Sequence, residues 1–224
     1  MAKKTTKHHP PNVPAERPGP EGGKRDANRR AKVQQLCEAS LELFCERGVE
    51  SVAIDEVVAN ANVSKGSFYR YFSGKEELVE TLFAPMASSL RSAFGTTKQT
   101  LEGPLTASEL NEAYGKLAGA VASLLVSNLA ILRLYLQENR GPDVGSRRPI
   151  IRIARDIDDF VFALTKVARD QGLLRCDCDL RVEALTSLGA VERLLFSYVR
   201  GDDLGSPTTV SADLISVVLD GMRA

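Results

Sequence analysis

The sequence predicts an all-α protein of about nine helices, and three observations lead to this fold class. Apolar residues recur every three to four positions through most of the chain after residue 28, which is the period of one face of an α-helix. No segment alternates apolar and polar residues convincingly, as a half-buried strand would. Ser, Thr or Asp stands where several of these patterns begin, as helix N-caps do.

Composition limits the class of protein. A chain of 224 residues and 24.3 kDa is one ordinary domain, or two with the first small. Its four cysteines do not suggest a disulfide scaffold, and no apolar stretch follows the N-terminus as in a secretory signal. The longest uncharged run, from Leu117 to Leu132, has 16 residues, fewer than the roughly 20 that span a membrane. We therefore expect a cytoplasmic protein.

Residues 1–28 differ from the rest of the chain. They contain five of the ten prolines, and residues 1–32 contain nine basic and three acidic side chains. Such a segment buries too little apolar surface to fold, so the sequence predicts a disordered basic arm over 1–28. The arm is either a solubilising tail or a DNA contact through residues such as Arg25, Arg29 and Arg30.

Three short helices are expected between residues 29 and 72. Gly48 ends the first, the stripe over 54–61 marks the second, and Ser64 caps the third. Their inward faces carry Leu36, Leu43, Phe44, Ile54, Val57, Val58, Phe68 and Phe72.

Six longer helices should follow. Pro85 lies inside the first of them and should kink it. The sixth helix of the chain runs to about Asn139. Start signals for the other five are Ser73 with Glu76, Thr106 with Glu109, Pro149, Asp179 and Ser206.

The second and third helices form the motif with the clearest functional meaning. The short turn over 60–64 between them is typical of a helix-turn-helix. A recognition helix reads bases with its first residues and binds phosphates at its flanks. The sequence therefore predicts DNA binding, although the same residues alone would fit an ordinary solvated helix face. The predicted DNA-binding residues are Arg29, Arg30, Ser64, Lys65, Gly66, Ser67, Tyr69, Arg70, Tyr71 and Lys75.

About 50 residues of this region resemble the DNA-binding domain of the TetR (tetracycline-repressor) family. The resemblance rests on Phe44 and Gly48, on the run VSKGSFYRYF at 63–72, and on KEEL at 75–78. Outside it, only the helix count and residues 172–175 match.

The resemblance implies three domain assignments. The arm over 1–28 precedes a helix-turn-helix head over 29–77, and an effector-binding and dimerisation body over 78–224 follows. It also implies a homodimer formed through the last two helices of each subunit. The function implied is a repressor released from a palindromic operator by a small apolar ligand. An activator or protein-docking factor of the same fold, without an effector, is the alternative.

Three positions depart from the family pattern. Asn62 replaces the usual turn glycine, and Asn is the next best residue for a left-handed conformation. Ala53 replaces the usual Ser or Thr cap of the second helix, a loss of roughly 1 kcal/mol. Asp55 follows in the first turn, where it would repel phosphate.

Candidate residues for other chemistry are few. The inward aromatic and aliphatic residues of the body either line a ligand cavity or form ordinary core: Tyr114, Leu117, Val121, Leu132, Tyr135, Phe160 and Leu164. Cys176 and Cys178 suggest a metal or redox site only weakly, because the two histidines lie far away in the arm. We expect no metal, no cofactor and no enzymatic activity.

Overall fold

The structure, a computed structural model, describes residues 23–126, 128–174, 177–206, 209, 210, 212–214, 216 and 217. Within these residues every regular element is helical, so the expected all-α class is confirmed. None of the described helices combines the length and the hydropathy that crossing a bilayer requires. The elements are α1 Lys24–Arg47, α2 Ile54–Asn60, α3 Lys65–Tyr71, α4 Lys75–Thr100, α5 Ala107–Val126, α6 Leu129–Glu138, a 3-10 helix Gly145–Arg147, α7 Arg148–Asp170 and α8 Leu180–Arg200.

Helix α1 begins earlier than the sequence predicts. The prediction of disorder over 1–28 is wrong for residues 24–28, which form the first turns of α1. An ion pair of 2.9 Å between Asp26 and Arg30, one helical turn apart, supports this end of the helix. Most of the predicted arm, residues 1–22, lies outside the described residues.

The core of the head lies where α1, α2, α3 and the start of α4 meet. Leu36, Phe44, Val57 and Phe68 are fully buried there, as their helical spacing predicts. Gly48 ends α1 with a φ of 83°, and its N–H donates to the Phe44 carbonyl at 2.8 Å. Only glycine adopts that φ without strain, so this helix stop is confirmed.

Helix α4 joins the head to the body as one element. It runs across the predicted boundary between residues 77 and 78 and contains Pro85. Its N-terminus differs from the predicted capping box, because the Ser73 N–H donates to Glu77 at 2.6 Å rather than to Glu76. That contact lowers the pKa of Glu77. Glu76 instead faces the α7 residues Arg148 and Arg152.

Two apolar clusters fill the described part of the molecule. The first continues from the head into α4, α6 and the start of α7, and the second joins the end of α4 with α5, α7 and the turn before α8. Caps predicted from the sequence begin two body helices. Thr106 and Glu109 exchange hydrogen bonds before α5, and Asp179 accepts from the Arg181 and Val182 N–H groups at α8.

Candidate nucleic-acid interface

The turn between α2 and α3 has the geometry that the sequence predicts. Asn62 takes a φ of 50°, the single positive value at a non-glycine residue in the described chain. The next residue, Val63, returns its N–H to the Val58 carbonyl at 2.9 Å. The expectation that Asn62 replaces a turn glycine is confirmed.

Side chains of α1 and α2 fasten this turn to the head. The Gln35 amide donates to the Ala61 carbonyl at 2.6 Å. The Asn60 amide donates to the Ala39 carbonyl at 3.3 Å and to Glu42 at 3.1 Å. The orientation of α2 and α3 is therefore fixed by polar contacts as well as by the apolar core.

Helix α3 presents one face to the core and the other to solvent. Phe68 and Phe72 are buried, with ring centroids 5.4 Å apart. The Ser64 hydroxyl accepts from the Ser67 N–H at 3.2 Å and caps the helix. The opposite face is exposed and carries Lys65, Gly66, Tyr69 and Arg70. An exposed face with these donors, at the start of a short helix, suits a DNA major groove.

Lys65 has a partner that the sequence pattern does not predict. Its ammonium lies 2.6 Å from the Asp55 carboxylate of α2, and both side chains are exposed. The hydrogen bond and charge of Asp55 raise the pKa of Lys65. Asp55 thus lies in the first turn of α2 as expected, and it pairs with the lysine in the first turn of α3.

Helix α2 keeps one half of a capping box. Ala53 has no side-chain acceptor, but its N–H donates to the Glu56 carboxylate at 2.8 Å. Arg47 binds the same carboxylate at 2.7 Å. The Ala53 N–H and Arg47 together lower the pKa of Glu56.

Lys75 and Tyr71, which the sequence predicts as phosphate contacts, contact other parts of the protein. The Lys75 ammonium donates to the carbonyls of Val49, Glu50 and Val52 at 2.7, 3.1 and 2.9 Å. An ammonium has three donors, and all three are used within the protein, so this geometry disfavours the predicted DNA contact of Lys75, which stays a prediction. Burial lowers the pKa of Lys75. Tyr71 is half-buried against the first apolar cluster, which leaves less of its side chain available to DNA.

The basic start of α1 adds a second charged surface. Arg29 and Arg30 are exposed, and Arg30 pairs with Asp26 as described above. Arg25, Arg29 and Lys32 follow each other at intervals of four and three residues, so they share one helix face. All three are exposed.

The predicted ligand-cavity residues do not gather at one place. Tyr135 and Val121 belong to the first cluster, whereas Tyr114, Leu117, Phe160 and Leu164 belong to the second; Leu132 is buried outside both. Phe160 stacks on Phe94 with 3.7 Å between ring centroids. Burial raises the pKa of Tyr135 to about 12, and burial beside the Glu183 carboxylate raises the pKa of Tyr114.

A cleft of about 490 Å³ lies elsewhere, between α1, α6 and α8. None of the predicted cavity residues lines it. Its lining residues are Glu38, Leu41, Glu42, Cys45, Leu129, Ala130, Arg133, Tyr198 and Val199.

Of the two cysteines Cys176 and Cys178, the structure describes one. Cys176 is not among the described residues, and Cys178 is a free thiol 3.7 Å from the Arg169 guanidinium. The described part of the chain contains no group of three His, Cys, Asp or Glu side chains arranged to hold a metal ion.

The fold and this interface define a helix-turn-helix transcriptional regulator. Residues 36–82 match the family model for bacterial regulatory proteins of the tetR family. The head of the chain therefore carries the DNA-binding domain of the TetR family of transcriptional regulators.

Known proteins similar to the chain are transcriptional regulators. The regulator TcmR of Streptomyces glaucescens is 27% identical over 209 residues, which cover 82% of this chain and 92% of TcmR. The regulator AcuR of Cereibacter sphaeroides is 40% identical over 90 residues, covering 38% of this chain and 40% of AcuR. The structure of Bacillus subtilis FadR with stearoyl-CoA superposes with a TM-score of 0.63 at 18% identity, covering 85% of this chain and 99% of FadR.

Proposed function

We propose that this regulator is a homodimeric repressor that binds a palindromic operator and leaves it when a small apolar ligand binds the body. The observation that carries the DNA-binding part is the exposed face of α3, mounted on buried Phe68 and Phe72. The head over 29–77 reads DNA in this proposal, and the body over 78–224 binds the effector and forms the dimer.

The roles of the DNA-binding residues follow from where they lie. Lys65 and Ser67, in the first turn of α3, are assigned to base edges, and Gly66 lets the backbone come close to the groove. Tyr69 and Arg70 are assigned to phosphates, which position a protein without reading sequence. Arg29 and Arg30 extend the phosphate contacts along α1, and the cap Ser64 contributes through the free N–H groups at the start of α3.

The dimer is supported by an exposed apolar face on α8. Val182, Leu185 and Phe196 are 59%, 53% and 45% exposed. They are separated by three and eleven positions, so they lie on one side of the helix. Exposed apolar side chains of this size favour an interaction surface, and Arg193 between them packs over the Phe196 ring, 5.7 Å from its centroid. A second subunit placed there forms an interface around α8, and the helix that the sequence predicts from Ser206 onwards completes it.

The effector site is assigned to the second cluster of the body. Tyr114, Leu117, Phe160 and Leu164 are brought together there, between α5 and α7. FadR, whose fold is similar, was crystallised with stearoyl-CoA, so an acyl chain is the first ligand to test. Ligand binding between α5 and α7 would displace α4, and α4 enters the head directly.

Transcription in vitro tests this proposal. The template carries a selected operator across its promoter, and the protein should lower the yield of transcript. Stearoyl-CoA or a shorter saturated acyl thioester should restore the yield. A stimulated transcript would favour the activator alternative, and repression that no acyl thioester relieves would contradict an acyl effector. Leu164→Trp, which adds volume at a buried residue of the second cluster, should repress normally but resist release.

A further inference from the structure

A buried carboxylate of the body holds the loop that leads into the recognition motif. Glu138, the last residue of α6, is 3% exposed. One of its oxygens accepts from the Val49 N–H at 3.0 Å, and the other binds the Arg147 guanidinium in the 3-10 helix. Val49 directly follows the glycine that ends α1.

Further contacts hold the same loop from other sides. The Glu50 carboxylate accepts from the Arg147 N–H at 3.0 Å. The Lys75 ammonium, as described above, binds three carbonyls between residues 49 and 52. Residues 48–53 are therefore fixed by α6, by the 3-10 helix and by α4 at once.

The approach of Glu138 to this loop depends on Gly48. A Cβ atom at Gly48 would lie 3.0 Å from the nearer Glu138 oxygen. Burying a carboxylate is costly unless its oxygens are paired, and both oxygens of Glu138 are paired. Loss of its side chain would leave the Val49 N–H and the Arg147 guanidinium without their acceptor.

We infer that Glu138 is a positioning residue for DNA recognition, although it lies in the body and about 70 residues from the recognition helix in sequence. It fixes the loop over 48–53, and the loop sets where α2 and α3 lie relative to α6 and α7. In a dimer the same contact sets the distance between the two heads. This inference rests on the proposed binding of two heads to a palindrome.

If Glu138 only stabilised the fold, its variants would keep the wild-type preference for one half-site spacing. This preference is therefore the quantity to measure. Affinities of wild type, Glu138→Gln and Glu138→Ala are measured on a selected palindrome and on versions with one base pair inserted or deleted between the half-sites. Wild type should prefer the original spacing sharply. The Glu138 variants should lose about tenfold on the original duplex, equivalent to about 1.4 kcal/mol, and discriminate less between spacings. Their affinity for random DNA should stay unchanged, because Glu138 is buried away from phosphate.

Glu80→Gln is the matched control, because Glu80 pairs with Arg152 at 3.3 Å on the exposed side of α4. It should behave as wild type. A Glu138→Gln variant that folds and keeps the wild-type spacing profile and affinity would overturn the inference. If Glu138→Ala does not fold, Glu138→Gln decides alone.

Hydrogen exchange separates failure of this inference from failure of the proposed dimer. Wild type without any spacing preference would contradict binding as two heads on a palindrome. Amide exchange of residues 54–60 is independent of DNA, and Glu138→Gln should accelerate it while Glu80→Gln should not. Unchanged exchange would refute the positioning role.

Discussion

The Lys65 ammonium lies 2.6 Å from the Asp55 carboxylate, so the first turn of the recognition helix is tied to the first turn of α2. The pair places a negative charge beside the lysine best placed to meet a base. In the proposed complex, DNA either displaces Asp55 from Lys65 or binds with the Asp55 carboxylate close to it. If α3 binds DNA as proposed, this pair would lower the affinity for every DNA sequence.

Asp55→Asn should tighten binding to all duplexes, because Lys65 is released and a repulsive charge is removed. The slope of log affinity against log salt should steepen by up to about 0.9, because the surface that faces DNA loses one negative charge. Fluorescence anisotropy at several salt concentrations measures both quantities. Asp170→Asn is the control, since it removes the partner of an exposed lysine on α7, far along the chain from the head. An unchanged slope for Asp55→Asn would mean that Asp55 lies too far from bound DNA to repel its phosphates.

Gly66→Ala should raise stability but weaken DNA binding. A Cβ atom at Gly66 meets no atom within 4 Å, and alanine in a helix is favoured over glycine by about 0.5–1 kcal/mol. The added methyl group would lie between the α3 backbone and the groove, and we expect about a tenfold loss of affinity, or 1.4 kcal/mol. Urea unfolding and anisotropy give the two values. Gly95→Ala, also open and helical, should raise stability without affecting DNA binding. Equal affinities for both variants would exclude a close approach at Gly66.

Lys75→Ala should destabilise the protein rather than change its salt dependence. Three carbonyls lose a charged donor, and a hydrogen bond to a charged group contributes roughly 1.5–3 kcal/mol, so we expect a loss of about 2 kcal/mol in the free energy of unfolding. Lys116→Ala removes only an exposed ion pair with Glu112 and should cost little. A Lys75→Ala protein of normal stability with a shallower salt slope would restore the phosphate role that the sequence predicts.

Leu185→Lys should convert the dimer to a monomer, because it places a new charge among the exposed apolar side chains of α8. Val144→Lys changes a residue that is equally exposed, at 52%, in the loop before the 3-10 helix, and should leave the dimer intact. Analytical ultracentrifugation compares the two proteins. A dimeric Leu185→Lys protein would place the subunit contact elsewhere.

Local sequence patterns predicted the parts of the structure that depend on neighbours within a few residues. The cap at Ser64, the helix stop at Gly48 and the turn at Asn62 are confirmed because each depends on backbone conformation and contacts nearby in sequence. The start of α1 was missed because its first turns are stabilised by charged pairs such as Asp26 and Arg30 rather than by apolar burial.

Contacts between segments that are distant in sequence could not be predicted from local patterns. Lys75 is surrounded by carbonyls 23 to 26 residues away, and Glu138 binds a loop 89 residues away. Helical period shows that Tyr114 and Tyr135 face inward, but it does not say that they enter different clusters. Predicting the pairing of Lys65 with Asp55 likewise requires the angle between α2 and α3, which local sequence patterns do not give.

Affinity selection from random duplex DNA, with purified protein at a stated salt concentration, tests the central claim most directly. The account predicts enrichment of a palindrome whose half-sites are centred about one helical turn apart, roughly 34–36 Å. Failure of a folded, dimeric protein to enrich any sequence would contradict the assignment of α3 as the element that reads DNA.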